Sequence, residues 1–345
     1  MTQPEGRAFI PYPMKLSDLF KESVWGNQRL ASVLHKRLPA NKPIGESWEM
    51  ADHGEDTNMV TNGPCAGLTI AQLRERHGEE LVGAHALAAG NGKTPLLIKF
   101  IDANQVLSVQ VHPDNAYAAA HHPGELGKTE AWYIISADPG AEIVFGLKPG
   151  VDRDALRKAI DDGKVESLLN RVPVRAGECY YTPSGVAHAI GAGVVVYEIQ
   201  QNSDVTYRFY DWNRLGLDGK PRELHIQQSL DVIDLRPIDD PRCRATTVQE
   251  RHGTVQRLIN SPFFVLDLLE GDHEVESTTA GTGFHVLSAI GGHGEVEALD
   301  AGGPDPTTSL SMGETVLLPA ALGRYRVGLG SGLRALRGFV PPPTR

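Results

Sequence analysis

The chain has 345 residues, 41% of them hydrophobic and 22% charged, which is enough to bury a large core in more than one domain. Its net charge of -10 speaks against broad binding to nucleic acid or to an anionic membrane, both of which need a basic surface, but it leaves room for a small anionic substrate held by a few local cations. No apolar run is long enough to span a bilayer, no export pattern starts the chain, and the three cysteines are widely spaced without a CxxC pair, so neither a zinc-thiolate site nor a disulfide framework is expected and the setting reads as a reduced cytoplasm.

Glycine (37) and proline (23) are abundant, as they are in chains of many short strands joined by turns. Residues 9–50 read as short strands and turns, with Trp25 and Trp48 as core filling. A helix is expected from Thr69, which can cap it, with Ile70 and Leu73 on one face and an end at Gly78 or Gly83. From Leu96 the pattern turns to strands. Asp114 caps a short helix over 114–121, and His121 and His122 read as surface residues. A helical insertion follows near 151–170, capped by Asp152, and strands return from Gly177 to Trp212. A charged, strand-poor joint at 239–244 leads to a last strand-rich block between Phe263 and Val340.

The chemistry gathers in Val106-Leu-Ser-Val-Gln-Val-His-Pro-Asp114. Val109 and Val111 point one way; Ser108, Gln110 and His112 point the other, so one face of this strand carries ligating groups. Very apolar strands precede and follow it, which turns that face toward a pocket inside a sheet. Glu130 returns on the next strand and can meet Gln110 and His112 there.

Two later stretches share a spacing. Gly177-Glu, Pro183, Gly185 and His188 stand at fixed spacings, and Gly313-Glu and Pro319 repeat the start and the proline at the same offsets, with Arg324 in the position of His188. Each copy reads as a turn, a strand, a proline stop and a return strand, an internal duplication in which only the first copy places a histidine. Any metal site therefore belongs to the first copy.

The pattern G-x5-P-x-G-x2-H resembles the second motif of the cupin superfamily of small β-barrels, whose first motif supplies two histidines and a glutamate. Gln110 stands where the first of those histidines usually is, His112 is the second and Glu130 is the glutamate; the terminal Asn of the second motif is replaced by Ala192. Gln-x-His-Pro-Asp, Gly-Lys-Thr-Glu, Gly-Val-Ala-His-Ala and Ser203-Asp-Val-Thr-Tyr-Arg208, in that order, resemble the type I phosphomannose isomerases in their short bacterial form. Longer members carry a histidine where this chain has Gly127.

The resemblance implies a mainly β fold of two cupin-type jelly-roll barrels with small helical insertions. A catalytic domain is expected at 1–237 and a metal-free one at 238–345. Gln110, His112, Glu130 and His188 form a borderline N/O ligand set that suits Zn²⁺, and Fe²⁺ or Mn²⁺ would also fit; the resemblance implies one zinc per chain. It further implies interconversion of mannose 6-phosphate and fructose 6-phosphate through an enediol. Arg208 would stabilise an oxyanion or contact phosphate, and Lys128 would open the ring or bind phosphate. Asp204 would carry a proton or orient the arginine, and Ser108 would touch substrate. Glu198 and Gln200 face inward with no assigned role. A cupin isomerase of other aldoses, including unphosphorylated ones, an iron oxygenase, and a non-catalytic sugar-binding cupin are the competing readings. The expected partner is a small sugar phosphate; the oligomeric state is left open.

Overall fold

A computed structural model describes residues 9–300 and 306–342; the N-terminal stretch read for export lies outside them. In the first half, a six-stranded sheet runs in the spatial order Cys179–Thr182, Glu130–Ala137, Val194–Gln201, Leu96–Ala103, Ile44–Met50, Leu19–Asn27. A five-stranded sheet faces it in the order Leu169–Pro173, Glu142–Leu147, His188–Ile190, Val109–Val111, Tyr207–Tyr210. The second half repeats the plan. A seven-stranded sheet runs Met14–Lys15, Thr315–Leu318, His285–Gly291, Arg334–Phe339, Val265–Leu269, Gly253–Asn260, Thr246–Glu250, and a four-stranded one runs Glu274–Thr278, Arg324–Gly328, His293–Ala298, Thr307–Ser311. Apart from Tyr207–Tyr210 in the first half and Met14–Lys15 in the second, the strands of the two halves follow one order, so the duplication legible in the Gly-Glu…Pro spacing extends through the topology. The sheets are open and paired face to face as jelly-rolls rather than closed into continuous hydrogen-bonded barrels.

Strand parity explains the packing. In Leu96–Ala103 every residue is buried, because both faces of the six-stranded sheet are covered. Leu96, Ile98 and Phe100 face away from the first jelly-roll and pack, with Ala131, Tyr133, Tyr197 and Ile199, against Leu266, Val286, Leu317 and Leu336 of the seven-stranded sheet. Ile101 and Ala103 face inward with Trp132, Ile134, Val194 and Val196 and meet Ile143, Phe145 and Ile190 of the opposing sheet. The outer face of the five-stranded sheet, with Val109, Val111, Ala187 and Ala189, is covered by Leu156 and Val165 of the helical insertion and by Leu230 and Ile233. The insertion is thus a cover for the five-stranded sheet.

The expected caps form. Thr69 closes a capping box with Gln72, and the carboxylates of Asp114 and Asp152 each accept a backbone N–H at 2.8 Å. The helix from Ile70 does not stop at Gly78 but runs to Leu81, with non-helical backbone at His77; Gly83 then precedes a second short helix, Ala84–Ala89. The halves are joined at the N-terminal strand, where Met14 pairs with Leu317. Beside it, the buried Glu49 accepts hydrogen bonds from Lys36 (2.6 Å), Ser47 (2.6 Å) and, across the seam, Thr315 (2.7 Å).

Inside the second jelly-roll, Arg337 is fully buried and donates to Asp267 (2.7 Å), Glu250 (2.6 Å) and Tyr325 (3.2 Å); Asp267 also accepts from Arg257 (2.9 Å). Removing one partner of such a buried pair leaves an uncompensated charge, so Asp267→Ala is expected to cost about 3–5 kcal/mol, read as a lowered urea midpoint. His285 is buried with both ring nitrogens engaged, by Thr282 and Tyr325, each at 2.7 Å. Burial, aided by Arg337, holds its pKa well below the ordinary histidine value. Below about pH 6.5 the unfolded chain therefore binds a proton at this site that the native one does not, and stability falls as pH drops toward the lower native value. Urea titrations across that window should show the fall, and His285→Gln should flatten it.

Candidate active site

Three strands of the five-stranded sheet place the inward groups in one row. His188 lies directly opposite Gln110, and Gln110 lies opposite Arg208 on its other side. His112 follows two residues along the same face. Glu130, the first residue of its strand in the six-stranded sheet, reaches toward the row from the other wall. Glu130 Oε1 lies 3.1 Å from His188 Nε2, and Oε2 lies 3.4 Å from His112 Nε2. His112, Glu130 and His188 thus bring ligand atoms within 4.8 Å of one another, all buried.

The hydrogen-bond arrangement fits a cation. His112 Nδ1 is 2.9 Å from the Val205 carbonyl and His188 Nδ1 is 2.8 Å from that of Val186. Donation to a carbonyl oxygen puts the ring proton on Nδ1 and leaves the Nε2 lone pair of each ring facing the centre. His112 Nε2 and both carboxylate oxygens of Glu130 are buried with no hydrogen-bond partner. Orphaned acceptors of this kind are costly unless something positive satisfies them. The Gln110 side-chain amide is 3.4 Å from His188 Nε2 and can turn its oxygen toward the same point. Burial, with Lys128 beside it, pushes the His112 pKa down to about 3, so the ring stays a neutral ligand. Burial opposes the charge on Glu130, yet the Lys128 ammonium beside it helps hold its carboxyl well below the usual range.

The remaining expected residues surround this centre. A cavity of about 310 Å³ is lined by Ser108, Gln110, Lys128, Asp204 and Arg208 among others. Lys128 precedes the strand rather than lying on it, and its Nζ is 3.4 Å from Glu130. Arg208 does not pair with Asp211, three residues further along the chain. Its Nε donates to Ser108 Oγ (3.0 Å) and its Nη1 to the Glu223 carbonyl (3.2 Å), while Asp211 takes Arg214 and Arg222 instead. Ser108 therefore holds the arginine, and Asp204 is an exposed residue of the cavity wall.

The cavity also holds Lys99, Glu46, Arg222 and His225, which the sequence did not single out. Lys99 sits between Glu46 (3.4 Å) and Glu198 (3.7 Å); burial works against its charge, but these carboxylates raise its pKa. Trp48 Nε1 donates to Glu46 (2.6 Å) and Trp132 Nε1 to Glu198 (2.8 Å). Burial, and then the charge of Glu130, raise the Glu198 pKa. A lone lysine in the apolar run Leu96–Ile101, in phase with Ile101, was the available signal for Lys99. Arg222 and His225 lie in the loop region before the helix Ile226–Val232 and carry no periodic signal.

Among its described residues, the second half has no such centre. By strand register, Glu130 lies opposite Thr182 and His285 opposite Leu318, each one residue before the shared proline. The position of Glu130 is thus held by His285, and that of His188 by Arg324, which is exposed and paired with Asp300. Among the described residues, His112, Glu130 and His188 form the one group of His, Cys, Asp or Glu side chains close enough to share an ion.

Residues 14–134 match the family description "Phosphomannose isomerase type I, catalytic domain". The chain is 38% identical to a mannose-6-phosphate isomerase of Streptococcus mutans over 289 residues, 82% of this chain and 86% of that one. The crystal structure of the mannose 6-phosphate isomerase from Bacillus subtilis superposes with a TM-score of 0.84 at 32% identity, over 96% of this chain and all of that one. A mannose 6-phosphate isomerase solved with zinc and yttrium shares the fold, with a TM-score of 0.72 at 17% identity over 95% of this chain and 99% of that one. Identity at this level over most of both chains, with the fold and the buried donor cluster in agreement, makes the chain a member of the type I phosphomannose isomerase family.

Proposed function

We propose that the protein is a metal-dependent aldose–ketose isomerase that interconverts mannose 6-phosphate and fructose 6-phosphate in the cytoplasm. The observation that carries this reading is the set of buried, unpartnered acceptors of His112 and Glu130 converging with His188 on one point. Gln110, His112, Glu130 and His188 would hold one Zn²⁺ there; the neutral N/O donors with a single carboxylate suit it, and a solved isomerase of the same fold carries zinc. The catalytic unit on this reading is 1–237 and the metal-free unit 238–345, a division supported by His285 standing in the place of Glu130.

When bound, the cation supplies Lewis-acid polarisation of the sugar oxygens. The chain's own residues do the rest. The Arg208 guanidinium, held by Ser108, presents fixed positive charge to the developing oxyanion or to the phosphate. Lys128 offers a second ammonium at the cavity wall for ring opening or phosphate contact. Asp204 and Glu198 are carboxyl groups on the cavity wall, and the raised pKa of Glu198 suits a group that both takes and returns a proton between C2 and C1. Trp25, Trp132 and Ile101 supply apolar wall that limits water around the reacting carbons.

An assay coupled to fructose 6-phosphate, run before and after chelation, tests the reading. Activity should vanish with the metal and return with zinc; turnover of free mannose at the rate of its phosphate would favour an unphosphorylated substrate. His188→Ala should lose bound metal and turnover while keeping the native circular dichroism; full activity after chelation would remove these ligands from the mechanism. Arg208→Ala should keep its metal and lose roughly 10²–10³ in kcat, and unchanged kinetics would remove Arg208 from the reaction.

A further inference from the structure

Two of the three cysteines meet at the joint between the halves. Cys179 opens the edge strand Cys179–Thr182 of the six-stranded sheet, and Cys243 lies in the strand-poor joint before Thr246. The joint docks on that edge as an antiparallel bridge, Tyr180 opposite Arg242. This register sets Cys179 opposite Cys243, and the Cys243 N–H donates to the Cys179 carbonyl at 2.8 Å. Residues opposite one another in an antiparallel pair point to the same face with Cα atoms ~4.5–5.5 Å apart, inside the ~4.4–6.8 Å window that a disulfide needs.

Both thiols face the core between the six- and seven-stranded sheets, Cys179 within it and Cys243 at its margin. They lie close enough to shift one another's ionisation. Cys179 is buried, whereas Cys243 is partly open to solvent. The joint is pinned beside the pair by Arg242, which donates to Glu178 (3.1 Å) and to the Pro173 carbonyl (3.1 Å), so closing the bond needs no large movement of the chain. Cys65 has a different setting, buried elsewhere, where its N–H donates to the Tyr12 hydroxyl (2.9 Å).

We propose that Cys179 and Cys243 form a reversible intramolecular disulfide when the protein meets a peroxide. Cys243 is the attacking sulfur, because it is the one an oxidant can reach; the Cys179 thiol beside it also lowers its pKa. The Cys243 thiolate attacks one peroxide oxygen, the O–O bond breaks, and the departing hydroxide takes a proton as water. The Cys179 sulfur then attacks the sulfenic sulfur of Cys243. The S–S bond forms, the S–O bond breaks, and the released hydroxide leaves as water with the Cys179 proton. Two thiols lose two electrons and one peroxide becomes two waters; a dithiol reductant reverses the change. The bond fastens the joint to the edge strand whose other side pairs with the strand of Glu130. It is independent of the isomerase reading.

The test uses the full-length protein treated with hydrogen peroxide, alkylated, digested and mapped by mass spectrometry. The expected product joins the Cys179 and Cys243 peptides with the loss of two hydrogens, is released by dithiothreitol, and leaves Cys65 free to be alkylated after unfolding. Thermal unfolding of the oxidised protein should shift upward by several degrees and return on reduction. Cys243→Ser should give no linked peptide and no shift. Recovery of the two peptides separately, with Cys243 as a thiol or as a sulfinic acid, would overturn the proposal. So would a linked species containing Cys65, or a thermal shift that survives in Cys243→Ser.

Discussion

A carboxylate with no exposed surface sets the terms for the first half. Burying Glu130 is expensive unless positive charge and donors surround it, and the chain meets that demand from two walls. The row His188, Gln110, Arg208 follows from strand register in one sheet, and Glu130 from the first position of a strand in the other. Both imidazoles have their Nδ1 protons tied to carbonyls, so what they turn toward Glu130 is a lone pair and not a proton. Lys128 balances part of the charge. Acceptors are in excess at the centre, which is the electrostatic definition of a cation site.

The second half shows the same architecture without that demand. Where Glu130 would stand there is His285, with both nitrogens engaged, and the interior charge is settled within the protein by Arg337, Asp267 and Glu250. The first half gathers buried acceptors without protein partners at one point; in the second, the buried carboxylate of Asp267 is paired within the protein by Arg257 and Arg337. This contrast, more than the absence of a histidine at Arg324, separates a reactive interior from a structural one.

Much of this was legible in the sequence because it rests on period and spacing. Gln110 and His112 fall on one face by the two-residue period of a strand, the glycine–proline spacing marks the duplication, and the caps at Thr69, Asp114 and Asp152 are local hydrogen-bonding choices. What was not legible depends on tertiary proximity. The choice of Asp211 between Arg208 and the pair Arg214 and Arg222 is made by a loop returning from eleven residues away. The helix starting at Ile70 overrides Gly78 because Leu81 and Val82 find a core to bury in. Lys99 was hidden because a residue inside an apolar run reads as a strand position, although its charge required partners on the inner face.

The six-stranded sheet is covered on its back by Leu266, Val286, Leu317 and Leu336. The second half therefore serves the first as a solid solvent: it replaces water along Ile98, Phe100, Tyr197 and Ile199. Its tolerance of change is set by shape and apolarity and not by chemistry. The enzyme cannot be trimmed to its first half, since a fragment ending near the joint would bare a broad apolar sheet and answer by self-association.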